Sequence, residues 1–171
     1  MKAFNLISLG TAFLLSVSCG SNSLQSPDRS IKAVIDGQSI SVYYGAAQVM
    51  SDLHVGIITE SQNLDSALVL SSQSGRKLIR EEYDMPAGKR LHCSNSANEK
   101  ILTYENPSGK KLRVVLRLYN DGIALRYVTD EGTMVIDDRT SYSVADGVNR
   151  WIANYDASTE QPFPLSTDGS V

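Results

Sequence analysis

The side chains that could do chemistry in this 171-residue chain are two histidines, two cysteines and 19 acids. Hydrolysis of a glycosidic bond needs two carboxylates at a set separation across it. No pair of acids here is marked as convergent by its spacing, and a solvated acidic surface is the better reading of them. His54 and His92 lie far apart in sequence, so two ordinary histidines are a simpler reading than a metal ligand pair. Asp137-Asp138-Arg139 reads as a charged turn, because a calcium loop would place oxygen ligands at alternating positions around a glycine. There is no phosphate-binding loop, dinucleotide fingerprint or nucleophile elbow. Lys89-Arg90 and Lys110-Lys111 are short enough to be solvated turns. With a formal charge of -3 and no basic stripe, nothing recruits nucleic acid.

The most suggestive stretch is Arg150-Trp151-Ile152-Ala153-Asn154-Tyr155-Asp156, which puts the single Trp beside a Tyr and polar side chains. Sugars bind on flat aromatic faces rimmed by amides and carboxylates. Trp151, Asn154 and Tyr155 are therefore candidate carbohydrate contacts. The alternative is that Trp151 is a core aromatic at the end of a strand.

The elements that must position these residues begin after an export signal. Lys2 precedes an uncharged, apolar stretch from Ala3 to Val17, shorter than the roughly 18 residues of a spanning helix. It fits a secretory signal of residues 1–18. Leu14-Leu15-Ser16-Val17-Ser18-Cys19-Gly20 resembles a bacterial lipoprotein cleavage site, although Leu15 sits one position early. Cleavage before Cys19 with lipid on its sulfur would hold the protein at a membrane surface, in the periplasm or at the outer membrane. An ordinary signal peptide with an incidental Cys19 is the alternative. If Cys19 is lipidated, Cys93 has no partner, and a disulfide framework and a Cys-based metal site are both excluded. Residues 19–30, rich in Gly, Ser and Asn around Pro27, read as a flexible tether.

From Ile31 to the end the signals are for strands. Ile31–Ile35 and Ser39–Tyr44 flank Asp36-Gly37, a hairpin marker. Val55–Thr59 and Ala67–Leu70 are short apolar runs. Gly75–Tyr83 reads as strand or irregular structure. In Lys111–Tyr119, Leu112, Val114, Leu116 and Leu118 alternate with other side chains, giving one apolar face. Asn120-Asp121-Gly122 turns the chain into Ile123–Val128, and Met134–Ile136, Thr140–Val144 and Trp151–Ala153 follow. Short strands joined by Gly, Asn and Asp turns predict an all-β antiparallel sandwich or barrel in one domain, residues 31–171.

Several stretches, in order, resemble the N-terminal domain of glycoside hydrolase family 97. They are Ser26-Pro27-Asp28 leading into the first hairpin, and Gly88-Lys89-Arg90 with Asn98-Glu99. Then come Leu116 to Tyr127 around Asn120-Asp121-Gly122, and Arg150-Trp151 with Asn154-Tyr155, Glu160 and Pro164-Leu165-Ser166. The resemblance implies a β-super-sandwich like that of galactose-mutarotase domains. It also implies α-glucosidase or α-galactosidase activity in the whole enzymes, on α-glucan or α-galactoside oligosaccharides. That chemistry belongs to a downstream (β/α)₈ barrel, which takes about 250 residues and does not fit in this chain. In the family the N-terminal domain contributes a carboxylate to a Ca²⁺ ion near the active site, and Glu160 is the matching position. One carboxylate cannot hold Ca²⁺ alone, which takes six to eight oxygens, so the ion would need the barrel. Secretion or lipid anchoring, common for such enzymes in gut-type Bacteroidetes, agrees with the export signal.

The expectation is a non-catalytic, carbohydrate-binding support domain, with the reading frame continuing, or once continuing, into a barrel. A stand-alone glycan-binding surface lipoprotein is the alternative, ahead of a complete hydrolase.

Overall fold

The computed structural model describes residues 22–129 and 132–151, together with the backbone of Leu165–Ser166. The signal segment, Cys19, Asn154, Tyr155 and Glu160 lie outside the described residues. All described strand pairs are antiparallel, and the described residues contain no helix. The all-β sandwich is what the alternating pattern dictates.

The first sheet contains β1 (Ser23–Gln25), β2 (Ile31–Asp36), β3 (Ser39–Tyr44), β4 (Ala47–His54) and, at its far edge, β13 (Ser141–Ser143), in the order β1-β2-β3-β4-β13. In β2 the odd residues Ile31, Ala33 and Ile35 are buried, and in β3 Ile40 and Val42. The register pairs Ile35 with Ile40 and Ala33 with Val42, so both strands present one apolar face. The turn between them falls one residue later than the Asp-Gly signal suggests. Asp36 pairs with Ser39, and the central residues are Gly37 and Gln38. Gly37 has φ +57°, the left-handed region that a glycine adopts without strain.

The second sheet contains β7 (Val69–Gln73), β8 (Lys77–Asp84), β9 (His92–Glu105), β10 (Lys111–Tyr119) and β11 (Ile123–Thr129). Its order is β11-β10-β9-β7, with β8 also paired to β9. Strand β9 is long enough to take β7 along Leu102–Glu105 and β8 along His92–Glu99 on one edge. Ser74 bridges the gap between them, its amide donating to the carbonyl of Ile101 at 2.8 Å. Leu102, Tyr104, Leu112, Val114, Leu116 and Leu118 are fully buried and meet the first sheet's inner face in one core. A small sheet of β5 (Ile57–Thr59), β6 (Asn63–Leu64) and β12 (Val135–Asp138) adds Ile57 and Leu64 to that core. Finally β14 (Arg150–Trp151) pairs with β15 (Leu165–Ser166).

The tether expectation is corrected from residue 23 onward. Leu24 is buried in the core, and Ser23–Gln25 pair with Lys32–Val34 as the edge strand β1. The turn that follows is built on the Asp28 carboxylate. Its Oδ1 accepts from the Ser26 hydroxyl at 2.6 Å, the Ser30 hydroxyl at 2.8 Å and the Ser30 amide at 2.9 Å. A Ser- and Pro-containing stretch that reads as linker by composition is thus an ordered turn, because its polar side chains satisfy its own backbone. Asp137 and Asp138 end β12, and Asp138 Oδ1 accepts from the Thr140 amide at 2.9 Å where the chain leaves the strand. Gly75–Tyr83 resolves as strand, β8.

Candidate functional site

Arg150 and Trp151 form a two-residue strand in which alternation sends one side chain in and the other out. Arg150 is 7% exposed and Trp151 is 66% exposed. The Arg150 Nη1 donates to the carbonyls of Val144 at 3.0 Å and Ala145 at 3.3 Å. Its Nε and Nη2 are buried without a hydrogen-bond partner among the described residues. Asp146 is the nearby acid, at 3.9 Å from Nη2. The core reading of Trp151 is therefore corrected: the ring is a surface feature, and the buried guanidinium beneath it is the anchor. Trp151 is not alone. Met134, Val135, Ile136 and Tyr142 are also exposed, as are Leu78, Tyr83, Met85 and Leu91 along β8 and the connection to β9. Asn154, Tyr155 and Glu160, the other residues expected to join this edge, lie outside the described residues.

The two histidines sit apart, each with its own carboxylate. His54 Nε2 lies 2.7 Å from Asp65 Oδ1, and His92 Nδ1 lies 2.9 Å from Asp84 Oδ1. At His54 the bonds can be assigned. The amide nitrogen of Gln38 has two hydrogens, which it donates to the carbonyls of Val55 and Asp65. Its 3.2 Å contact with His54 is then a contact only, and His54 Nε2–H donates to Asp65. The cluster closes around Gly56, where a Cβ would collide with the Asp65 carboxylate. This is a clasp between β4 and the β6–β7 connection, with no nucleophile in its hydrogen-bond set. Cys93 is half-buried.

On the outer face of the second sheet, Arg117 Nε donates to Glu99 Oε2 at 2.7 Å and Nη1 donates to Glu81 Oε1 at 2.8 Å. Hydrogen bonds to Tyr119, Glu99 and Glu81 push the guanidinium pKa up, against the opposing effect of burial. Both carboxylates are thereby engaged by one cation, which makes them poor candidates for the acid and base of hydrolysis. Among the described residues no three His, Cys, Asp or Glu side chains gather as metal ligands.

Two polar residues that hydropathy patterning passes over join the two sheets. Asn98 and Lys100 are buried on the core face of β9. Asn98 Nδ2 donates to the carbonyl of Gln25 at 2.7 Å, and Lys100 Nζ donates to that of Ser23 at 3.1 Å. They cap the free edge of β1 from the opposite sheet. Burial lowers the Lys100 pKa.

The clasp around Asp28 reaches across the sandwich too: its amide donates to Asn120 Oδ1 at 3.1 Å. The Ser26-Pro27-Asp28 and Asn120-Asp121-Gly122 stretches, 92 residues apart, thus form one structural unit. A family model described as "Glycosyl-hydrolase 97 N-terminal" matches residues 24–168, taking in both stretches, the sandwich and the Arg150-Trp151 strand. The chain belongs to the glycosyl-hydrolase 97 N-terminal family.

Among curated proteins, a probable retaining α-galactosidase of Streptomyces bingchenggensis (strain BCW-1) is 25% identical over 134 residues, 78% of this chain and 21% of that protein. Among solved structures, a family 97 glycoside hydrolase from Pseudoalteromonas sp. strain K8, in complex with acarbose, superposes with TM-score 0.70. It is 19% identical, over 85% of this chain and 24% of that one. A β-arabinopyranosidase superposes with TM-score 0.66 at 22% identity, over 72% of this chain and 21% of that one. At these identities the superpositions speak to the fold. The family 97 N-terminal domain spans less than a quarter of the lengths of these relatives.

Proposed function

We infer that the chain is a non-catalytic support domain of a family 97 glycosidase, which packs on a (β/α)₈ barrel and contributes a glycan-contacting rim. The observation that carries this reading is the family match itself, confined to an N-terminal domain covering about a fifth of a probable α-galactosidase. The exposed side chains of Met134, Val135, Ile136, Tyr142 and Trp151 support it as apolar surface open to barrel or sugar. Trp151, with Asn154 and Tyr155, is the proposed sugar contact. Glu160 is the proposed carboxylate for Ca²⁺, with its remaining oxygens coming from the barrel. The ligand is an α-glucan or α-galactoside oligosaccharide. Cys19 is the proposed lipid attachment point, holding the exported protein at the periplasmic or outer-membrane surface.

Calorimetry with maltooligosaccharides and α-galactosides tests the rim. Millimolar binding that disappears in Trp151→Ala supports it, and binding untouched by that substitution refutes it. Purified protein free of host enzyme is expected to leave an aryl α-glucoside and an aryl α-galactoside intact, and turnover of either would overturn the non-catalytic reading. Cys19→Ser is expected to release the protein from the membrane fraction. The exposed ring of Trp151 also favours a second reading, a stand-alone glycan-binding surface lipoprotein. Tight binding to intact polysaccharide by the chain alone would favour that one.

A further inference from the structure

A groove of about 490 Å³ lies between the turn after β1 and the β8–β9 pair, and three arginines line it: Arg29, Arg76 and Arg80. Its origin follows from register. Leu78 pairs with Asn98 and Arg80 with Ser96, so these residues share the face of β9 that carries Leu102 and Tyr104 into the core. The first sheet covers that face only as far as Gln25, whose carbonyl Asn98 caps. Beyond it the core face runs out into the open, and there Arg80 and Leu78 are exposed. Arg29 stands at the groove's other wall on a backbone held at φ 67° inside the Asp28 turn.

None of the three guanidinium groups is within ion-pair distance of a carboxylate among the described residues. The nearby acids are otherwise engaged or lie off the lining. Asp28 is bonded to Ser26 and Ser30, and Glu81 faces the opposite side of the sheet, on Arg117. Glu82 lies two residues further out along β8 than Arg80 and does not line the groove. In a chain of formal charge -3, this is a local reversal of sign. Arginine forks are matched to carboxylates, which they grip with two parallel bonds. No aromatic ring lines the groove, so a stacking platform for sugar is missing. Strand β8 also leaves its outer edge unpaired among the described residues, because β7 and β8 share the same edge of β9. An open edge accepts an extended chain.

We propose that this groove binds an acidic polypeptide segment, extended along β8, with its carboxylates seated on Arg29, Arg76 and Arg80 and its apolar side chains on Leu78. The proposal goes beyond the support-domain reading and does not depend on it, since the groove needs neither barrel nor sugar.

The test uses the purified chain and a capped peptide of alternating Glu and Val, with a Gln-and-Val peptide as control. Binding is followed by amide chemical shifts. The Glu peptide is expected to move resonances of the turn and of β8, and to bind more weakly at 200 mM than at 50 mM salt. Each of Arg29→Gln, Arg76→Gln and Arg80→Gln should weaken it roughly two- to five-fold, the range for exposed ion pairs. The triple variant should weaken it more than about ten-fold while keeping the parent's thermal midpoint, as its side chains are exposed. Equal binding of the Gln peptide, or a triple variant that binds like the parent, overturns the proposal. Inorganic phosphate or a uronate oligosaccharide that binds the groove more tightly than the Glu peptide also overturns it, in favour of a small anion or an acidic glycan.

Discussion

Tyr104 joins the two sheets, and replacing it by Phe should change the sign of its effect with pH. The ring is fully buried in the core, and its hydroxyl donates to the carbonyl of Gly37, in the β2–β3 turn, at 2.9 Å. At neutral pH, Tyr104→Phe loses that bond and leaves the carbonyl without it, a cost of about 1 kcal/mol. Burial, with a smaller contribution from Tyr127, pushes the phenol pKa from 10.0 up to about 12. The folded state therefore holds its proton where the unfolded state gives it up. Stability from this group is fully present below pH 10 and is lost as the pH rises towards 12. A shift of that size corresponds to roughly 2.7 kcal/mol. The variant has no phenol at this position to titrate, so its alkaline decline is shallower by the same amount. The two proteins should have equal stability near about pH 11, and above it the variant should be the more stable. Tyr127, whose pKa burial also raises, titrates in both proteins, so it cancels apart from its smaller coupling to Tyr104. Urea unfolding of both at intervals from pH 8 to 11.5 measures this. A variant less stable by a constant amount at every pH would refute the reasoning, because it would mean the phenol is not desolvated.

Other expectations rest on single observations. Hydrogen bonds from Ser26 and Ser30 lower the Asp28 pKa below its usual 3.8. Its stabilising effect is thus present above the unfolded value and lost as pH falls through the lower folded one, so Asp28→Asn should flatten the acid limb of the thermal midpoint. Because the Asp28 backbone amide donates to the Asn120 side chain, Asn120→Ala should cost about 0.5–1.5 kcal/mol by urea unfolding, and an unchanged stability would mean that the bond across the sandwich is not formed. Gly56→Ala should cost about 1–3 kcal/mol by urea unfolding through collision with Asp65, and Asp65→Ala should relieve part of it. Trp151→Ala should leave the thermal midpoint within a degree or so while abolishing glycan binding, since the ring is exposed.

Strands β10, β2 and β3 are legible in the sequence because each has one face on the core and one on the outside, so hydropathy alternates with the pleat. Strand β9, the centre of the second sheet, is not. Its first half carries Ser94, Ser96 and Asn98 on the core-facing side, where an apolar residue would be expected. Those positions lie where the first sheet ends, and there Asn98 and Lys100 cap the edge of β1. The pattern fails at β9 because the residues that seal the sandwich are polar. Strand β1 is hidden for a related reason: three residues with one buried Leu give no period, and the order comes from partners elsewhere in the chain. The stretches that resemble the family carry information of another kind. Asp28 and Asn120 bridge 92 residues, so their match speaks to architecture, while the proposed sugar contact rests on Trp151 and its neighbours. At Trp151 the sequence alone favours a core aromatic, and the ring is exposed. Only the pairing of Arg150 with Ser166 and the burial of its guanidinium decide the ring's direction.

The central claim is that this sandwich supports a catalytic barrel, and reading the DNA beyond codon 171 tests it most directly. An open frame, or a decayed remnant of one, coding for a (β/α)₈ barrel with its catalytic acids is the expected result. Unrelated sequence with no trace of a barrel would contradict it.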